Sequence, residues 1–537
     1  MARSKTPSFI TELPLVVDSK QDAELLSRFQ AGRQLYNACL NEAMVRMNLL
    51  RDSDAYKAAK KIPSDNPKER QKAFGDARKQ HRYSDYDLQA YANLVSKRST
   101  WISEKLDTHT QQTLATVPKR NATLRAFKAS ERVLFGRAKK VRYKVPTRFR
   151  SVEGKTNKQG IRWKDNQLIW GKLELTPIID WDNPVILHGL SAVVKYVRIL
   201  WRELNGKRRW YVQLVTEGVP YQKEKNYVGD GVVGLDLNIS NIAFVSDSQA
   251  GLLPFAEGVP TFEREIKALQ RQMSRSRRTN NPDNYESDSE GKRGRKTITK
   301  KGKCKKGKSK WNNSKNYQRV ARKKRELERR KSAYSKSQNR KVVNEILRHG
   351  KQIKTENVSV KGWQKRYGKA ISAKSPGFVQ SELKRKAEKK KRSTSAPLHT
   401  RRGVRGVGAG GSFTKFSTQK TALSQTHLNG ERIKKKLSER VHHDVTGIVM
   451  HRDLFSAYLS RHINDDKLSL QDAALQYPGT EPFLVEAWKR YQETAKRVGD
   501  AESRQSHSPS ERFSKKLRKR RQIADRKRSG PKAAPNS

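Results

Sequence analysis

Acidic residues are scarce in this chain and cysteine is nearly absent. Of 537 residues, 53 are Asp or Glu against 117 Lys or Arg, a formal net charge of +64. Charge of that size and sign points to a polyanion partner. Only Cys39 and Cys304 are cysteines, and they lie far apart in sequence. That excludes a disulfide scaffold and any cysteine-built zinc finger, and it suits a reducing compartment. Long apolar runs are missing too. No window approaches the length of a membrane span, and the opening "MARSKTPSFITELPLVV" has neither the apolar core nor the small-residue cleavage site of a signal peptide. Hydrophobic residues make up 34% of the chain, so part of it cannot pack by itself. No repeat period is visible. The class expected is soluble, intracellular and bound to nucleic acid, and the length asks for at least two domains.

What is present falls into textures. "SFITELPLVV", residues 8–17, reads as a strand. Ser19 then stands at the start of a run with apolar residues at 25, 26, 29, 36, 40, 43 and 47, which is helical spacing. Charged helical sequence continues to about Ala115. From there "RVLFGRAKKVRYKVPTRFRS", "GIRWKDNQLIWGKLELTPII" and "KRRWYVQLVTE" are β-type runs that fit a small barrel or sandwich. Arg162, Trp163, Trp170, Arg208, Arg209 and Trp210 read two ways, as the lining of a nucleic-acid groove or as core tryptophans with a solvated basic rim. Residues 262–350 are basic and helical, interrupted by an insertion at 278–311. Within 291–310, eleven of twenty residues are Lys or Arg and none is acidic. Such a block is expected to be disordered when free and to hold phosphates when bound. "KRKAEKKKR", the Gly-rich "RRGVRGVGAGGS" and the polycationic tail are further low-complexity segments.

Against this basic background three acids stand out. Asp236 sits inside "GVVGLDLNISNIAFVSD", two apolar runs around a polar turn, where a strand carboxylate is costly unless a cation or hydrogen bonds compensate it. Glu356 ends a short strand-like run after the amphipathic "NRKVVNEILRHG", and Asp453 opens a helix whose inner face would be Leu454, Ala457 and Tyr458. Taken singly, Glu356 reads as well as a surface strand-end acid, and Asp453 as a first-turn helix acid. Taken together, three carboxylates on different elements are what a two-metal phosphodiester hydrolase needs, because Mg²⁺ takes only one or two protein carboxylates per ion.

"VGLDLNISNIAFVSD", "TENVSVKGW" and "HRDLFSAYL" resemble, in this order, the three RuvC motifs of TnpB, the RNA-guided nucleases of insertion sequences and relatives of type V CRISPR effectors. Between the second and third, "GKAISAKSPGFVQSELKRKAE" and "FSTQKTALSQT" are similar to the family's linking helix and its run into a zinc ribbon. The likeness is specific from 226 to 462; before that it is a matching order of strand, helical insert and β-rich return. "RDLFSAYL" departs from the usual Arg-Asp-x-Asn-Ala-Ala but keeps the Asp. The resemblance implies an α+β multidomain chain. A wedge-like β-barrel would occupy 1–20 and 116–225, and a helical recognition domain 21–115. An RNase H-like RuvC domain would span 226–423 and 448–470, a ribbon-like subdomain 424–447, and a helix running into a disordered basic tail 471–537. It implies two Mg²⁺ ions held by Asp236, Glu356 and Asp453, a guide RNA, a double-stranded DNA target read next to a short adjacent motif, and a prokaryotic cytoplasm with nucleoid association.

The family commonly has four cysteines between its second and third motifs; here there are none, and His427, Gly430, Asp444 and Thr446 fall roughly in their places. His427, His442, His443 and Asp444 are possible donors, but adjacent His442 and His443 cannot easily share one ion, so zinc is not expected. Two other functions fit the same motifs: a nuclease-inactive, RNA-guided DNA-binding repressor, and a structure-selective resolvase without RNA. The filled triad speaks against the first. The long N-terminal region speaks against the second.

Overall fold

A computed structural model describes residues 7–116, 125–293, 296–307, 310–388, 411–436 and 439–505, and divides the chain into two compact units between Gln222 and Lys223. Residues 389–410, which hold the end of the basic run and most of the Gly-rich stretch, and the tail from 506 lie outside the described residues.

The first unit opens with β1 (Ser8–Pro14) and the long α1 (Ser19–Asp52). The cap of α1 is one residue earlier than the sequence suggests. Asp18 accepts from the Gln21 amide at 2.8 Å while the Gln21 side chain accepts from the Asp18 amide at 3.1 Å, so a reciprocal capping box displaces Ser19 into the first turn. Leu25, Phe29, Tyr36, Leu40, Ala43 and Met47 form the buried stripe of α1. Around it pack α2 (Asp54–Lys61), which carries α3 (Pro67–Gln80) against itself, then α4 (Asp85–Lys97), α5 (Thr100–Lys105), α6 (Thr108–Ala115) and α7 (Ala126–Leu134). The last of these corrects the sequence reading. "RVLFG" closes a helix whose Ala126, Phe127 and Ser130 are buried at helical spacing, and no strand begins until β2 (Ser151–Glu153).

Next come β3 (Ile161–Lys164), β4 (Gln167–Trp170), β5 (Leu173–Leu175), α8 (Pro184–Leu190), β6 (Val194–Leu204) and β7 (Lys207–Glu217). The sheets run β1-β7-β6-β2 and β3-β4-β5, so among the described residues hydrogen bonds do not close one ring. The hairpin from β6 to β7 turns on Asn205 and Gly206, with φ of 51° and 77°, the residue types a two-residue hairpin turn selects. Trp170 and Trp210 are core residues. Trp170 donates to Asp107 and Trp210 to Asp22, at 3.0 and 2.7 Å, while Arg162, Arg208 and Arg209 are exposed. For these two tryptophans the core-and-rim reading is the one observed.

The second unit is built on a mixed sheet. Its first strands are β8 (Val232–Leu237), β9 (Asn241–Val245) and β10 (Ala250–Pro254), a meander in which Asn238 and Asn241 close the first turn. Then follow α9 (Glu263–Thr279), a hairpin of β11 (Ser289–Arg293) and β12 (Lys296–Lys300), α10 (Lys315–Arg348) and β13 (Gln352–Glu356). The chain goes on through α11 (Val360–Lys374), α12 (Pro376–Ala387), β14 (Ser412–Phe416) and the single turn α13 (Thr418–Thr421). It ends with β15 (Val441–His443), β16 (Val449–His451), α14 (Arg452–Arg461), the short β17 (Ile463–Asn464) and β18 (Lys467–Leu468), and α15 (Leu470–Gln505). Strand order is β10-β9-β8-β13-β14, with β13 parallel to β8 and β14 parallel to β13.

Alternation along β8 sorts its side chains. Val233, Leu235 and Leu237 join the core made with Val343, Ile346 and Leu347 of α10 and Val379 and Leu383 of α12. Gly234 and Asp236 therefore face the other way, toward α14. A Cβ on Gly234 would stand 2.2 Å from the Ala457 carbonyl, so only glycine lets this helix lie on this strand. The contact is close enough that all ten residues of α14 are buried, more than the single inner face expected.

The basic insertion is folded in its described part. Arg277 lies between Trp311 and Tyr317, 4.7 and 4.9 Å from their ring centroids, and Arg278 lies 4.2 Å over Tyr285. At its base Asn281 donates to the Asn312 carbonyl at 2.8 Å and accepts from the Asn312 amide at 2.7 Å. The disorder expected at 291–310 is corrected for its described part, where β11 pairs with β12 from Ser289 and Lys300 to Arg293 and Lys296, above a base closed by the aromatic and amide contacts of residues some thirty positions apart.

Candidate active site

Three elements deliver the three acids to one end of the mixed sheet. In the parallel ladder Lys354 is level with Gly234 and Thr355 with Leu235, so Glu356 follows in step with Asp236 and points to the same face. Helix α14 runs against β8. Its C-terminal turn covers Gly234, and the Ser460 hydroxyl reaches the Leu235 carbonyl at 3.3 Å. Asp453 is four residues, about 6 Å, before Ala457, and Asp236 is two residues, about 6.6 Å, beyond Gly234. The first turn of the helix is therefore carried to the C-terminal end of the strand, beside Asp236.

Electrostatics report the same meeting. Loss of solvation raises the Asp236 carboxyl well above the ordinary carboxylate range, and the negative charges of Asp453 and Glu356 raise it further, against Arg452 and Arg440. Burial pushes Glu356 up to about 7, with no hydrogen-bond donor lowering it. Asp453 is 3% exposed, with Arg452 Nε at 3.6 Å and Arg440 Nη1 at 3.7 Å from its oxygens. The cap of its helix is His451, whose Nδ1 accepts from the Asp453 amide at 3.3 Å. Carboxylate oxygens gathered at one place are the hard ligand set that Mg²⁺ takes, so these residues fit that ion.

A second cluster lies beside the first. Among the described residues, His427, His442 and Asp444 are a group whose possible ligand atoms all fall within 4.8 Å of one another; the three carboxylates of the first site are not drawn that close. His442 and His443 are neighbours on β15 and face opposite ways, with His442 buried and His443 exposed. Burial acts to raise the Asp444 carboxyl, but hydrogen bonds from His442, Thr446 and the Leu428 amide outweigh it and hold the group low. Burial pushes His442 down to about 4 despite its bond to Asp444. Gly430, at φ 92°, turns the loop between His427 and Glu431 and offers no ligand. The sequence named these residues without showing how they are joined; Lys435, whose ammonium meets His442 Nδ1 at 2.5 Å, carried no signal that could have found it.

No family model and no curated protein matches the chain. Among solved structures it is similar to a Cas12f1–sgRNA–target DNA complex, at 9% identity over 86% of this chain and 100% of that one, with a TM-score of 0.39. It is also similar to a CRISPR-Cas12f ternary complex, at 9% identity over 84% and 82%, with a TM-score of 0.26. No described helix is long and apolar enough to cross a membrane.

Proposed function

We propose that the chain is an RNA-guided DNA endonuclease of the TnpB and type V kind, with a RuvC-type site at Asp236, Glu356 and Asp453. The observation that carries the reading is the meeting of three acids from β8, β13 and α14 at one end of a sheet of order β10-β9-β8-β13-β14. In that sheet β10, β9 and β8 are antiparallel neighbours and β13 and β14 join in parallel. Two Mg²⁺ ions bound there would activate water and stabilise the leaving oxygen of a phosphodiester. The chain's own part is to present Asp236, Glu356 and Asp453 as ligands, Asp236 and Glu356 giving up the protons that burial favours. Arg440 and Arg452 limit the negative charge, and the Gly234 contact fixes the depth of Asp453.

The RNA part rests on the resemblance of the motifs and on the charge. A net +64 exceeds what a duplex cut alone calls for, and base pairing with a guide would supply the specificity that low-complexity polycations cannot. The guide would derive from a transposon end, and the target would be double-stranded DNA. Asp236→Ala is expected to abolish cleavage while leaving RNA and target binding nearly intact. Glu356→Ala and Asp453→Ala should match it, and double variants should be no worse than the singles. Cleavage by Asp236→Ala near the wild-type rate sinks the site assignment. Sequencing the RNA that co-purifies tests the guide: a discrete noncoding species with a variable end supports it, and random cellular RNA or none favours a resolvase.

A further inference from the structure

We propose that Asp444, ringed by His442, His427 and Lys435, is a metal-free hydrogen-bonded node that sets the hairpin leading into Asp453, at the place where the resembled family closes a ribbon on zinc. The donor set does not fit a tetrahedral zinc, which needs four ligands with free lone pairs. Among the described residues only three candidate ligands meet here, and the atoms that face one another already hold hydrogen bonds. Asp444 Oδ1 accepts from the Thr446 amide at 3.1 Å and its hydroxyl at 2.8 Å. Oδ2 accepts from His442 Nε2 at 2.9 Å and the Leu428 amide at 3.1 Å. The nitrogen of His427 beside that oxygen, Nδ1 at 3.3 Å, accepts from the Val445 amide at 3.1 Å. With Nδ1 accepting, His427 Nε2, buried and without a partner, carries the ring proton and has no lone pair to offer an ion. The second nitrogen of His442 accepts from the Lys435 ammonium. A divalent ion at Asp444 would displace several of these bonds and sit near a fixed positive charge.

The node has something to position. His442 pairs with Met450 and Val441 with His451, and the Arg452 amide donates to the Arg440 carbonyl at 2.8 Å. Asp453 is thus two residues from a hairpin whose other strand carries the node. His442 also stacks on Phe455 of α14 at 4.0 Å between centroids, which ties the node to the helix itself.

The test uses the full chain. Elemental analysis after incubation with excess Zn²⁺ and desalting should find far less than one ion per chain, and 1,10-phenanthroline should leave Tm unchanged. About one bound zinc per chain, or a Tm that drops on chelation, overturns the proposal. Lys435→Met separates the two cases without relying on a fragile variant. It should lower Tm and raise amide exchange across 441–453, since it removes a bond from the node; were a metal present, removing a nearby cation would tighten the ion and raise Tm. Asp444→Asn should raise exchange over the same amides. Unchanged exchange in both variants also overturns the proposal.

Discussion

Glu356 shows how far one half-buried carboxyl can be tested. Its pKa, about 7 against an ordinary 4.5, lies higher in the folded chain than in the unfolded one. Between those values the folded state holds a proton that the unfolded state has lost. Stability of the metal-free chain is therefore greatest on the acid side and falls as pH rises through that window. In EDTA, denaturant midpoints are expected to drop from pH 5 to pH 8 by more in wild type than in Glu356→Gln, which has no proton to lose. Adding Mg²⁺ should recover the loss at pH 8 in wild type, because the ion takes the proton's place. Equal pH slopes in the two proteins would show that Glu356 titrates normally.

At the scale of elements the critical contact is α14 on β8. Gly234→Ala puts a methyl against the Ala457 carbonyl, and neither partner is a flexible side-chain end. Overpacking of this kind is expected to lower stability by about 1–3 kcal/mol. It should also cut cleavage in the proposed reading, since the helix can relieve the clash only by moving Asp453. Gly206→Ala is the matched control: it strains a turn at φ 77° in the other unit, for about 1 kcal/mol, and should leave the chemistry alone. Thermal melts and single-turnover cleavage on both variants separate the effects. A Gly234→Ala protein as stable and active as wild type would mean that the helix does not need this approach.

For the whole molecule, the expectation concerns the insertion. Replacing 282–311 by a short linker should weaken binding of structured RNA and flatten its salt dependence, while the mixed sheet and the three acids stay in place. Losing even six phosphate contacts changes the slope of log K against log salt by about 4 to 5 units. A salt series on the deletion reads it, and an unchanged slope would make the insertion a bystander. The first hairpin of the mixed sheet was legible because two apolar runs, which became β8 and β9, flank a polar turn. The acids were legible because a charge breaks that pattern at Asp236 and because the flanking motifs are local. The α7 helix was not, since basic and β-branched residues after Leu134 obscure where its helical period ends. The insertion's fold was illegible for a different reason: its order comes from Arg277 stacking on Trp311 and Tyr317, pairs that no local window contains.

The reciprocal amide bonds between Asn281 and Asn312 have a practical consequence. They act like one rung of a ladder across a narrow neck, so thirty residues leave the helical pair and return at nearly the same point. A segment entered and left through one neck is a cassette. It can be shortened, exchanged for another hairpin or given a reporter without altering the path of α9 or α10, provided both asparagines are kept.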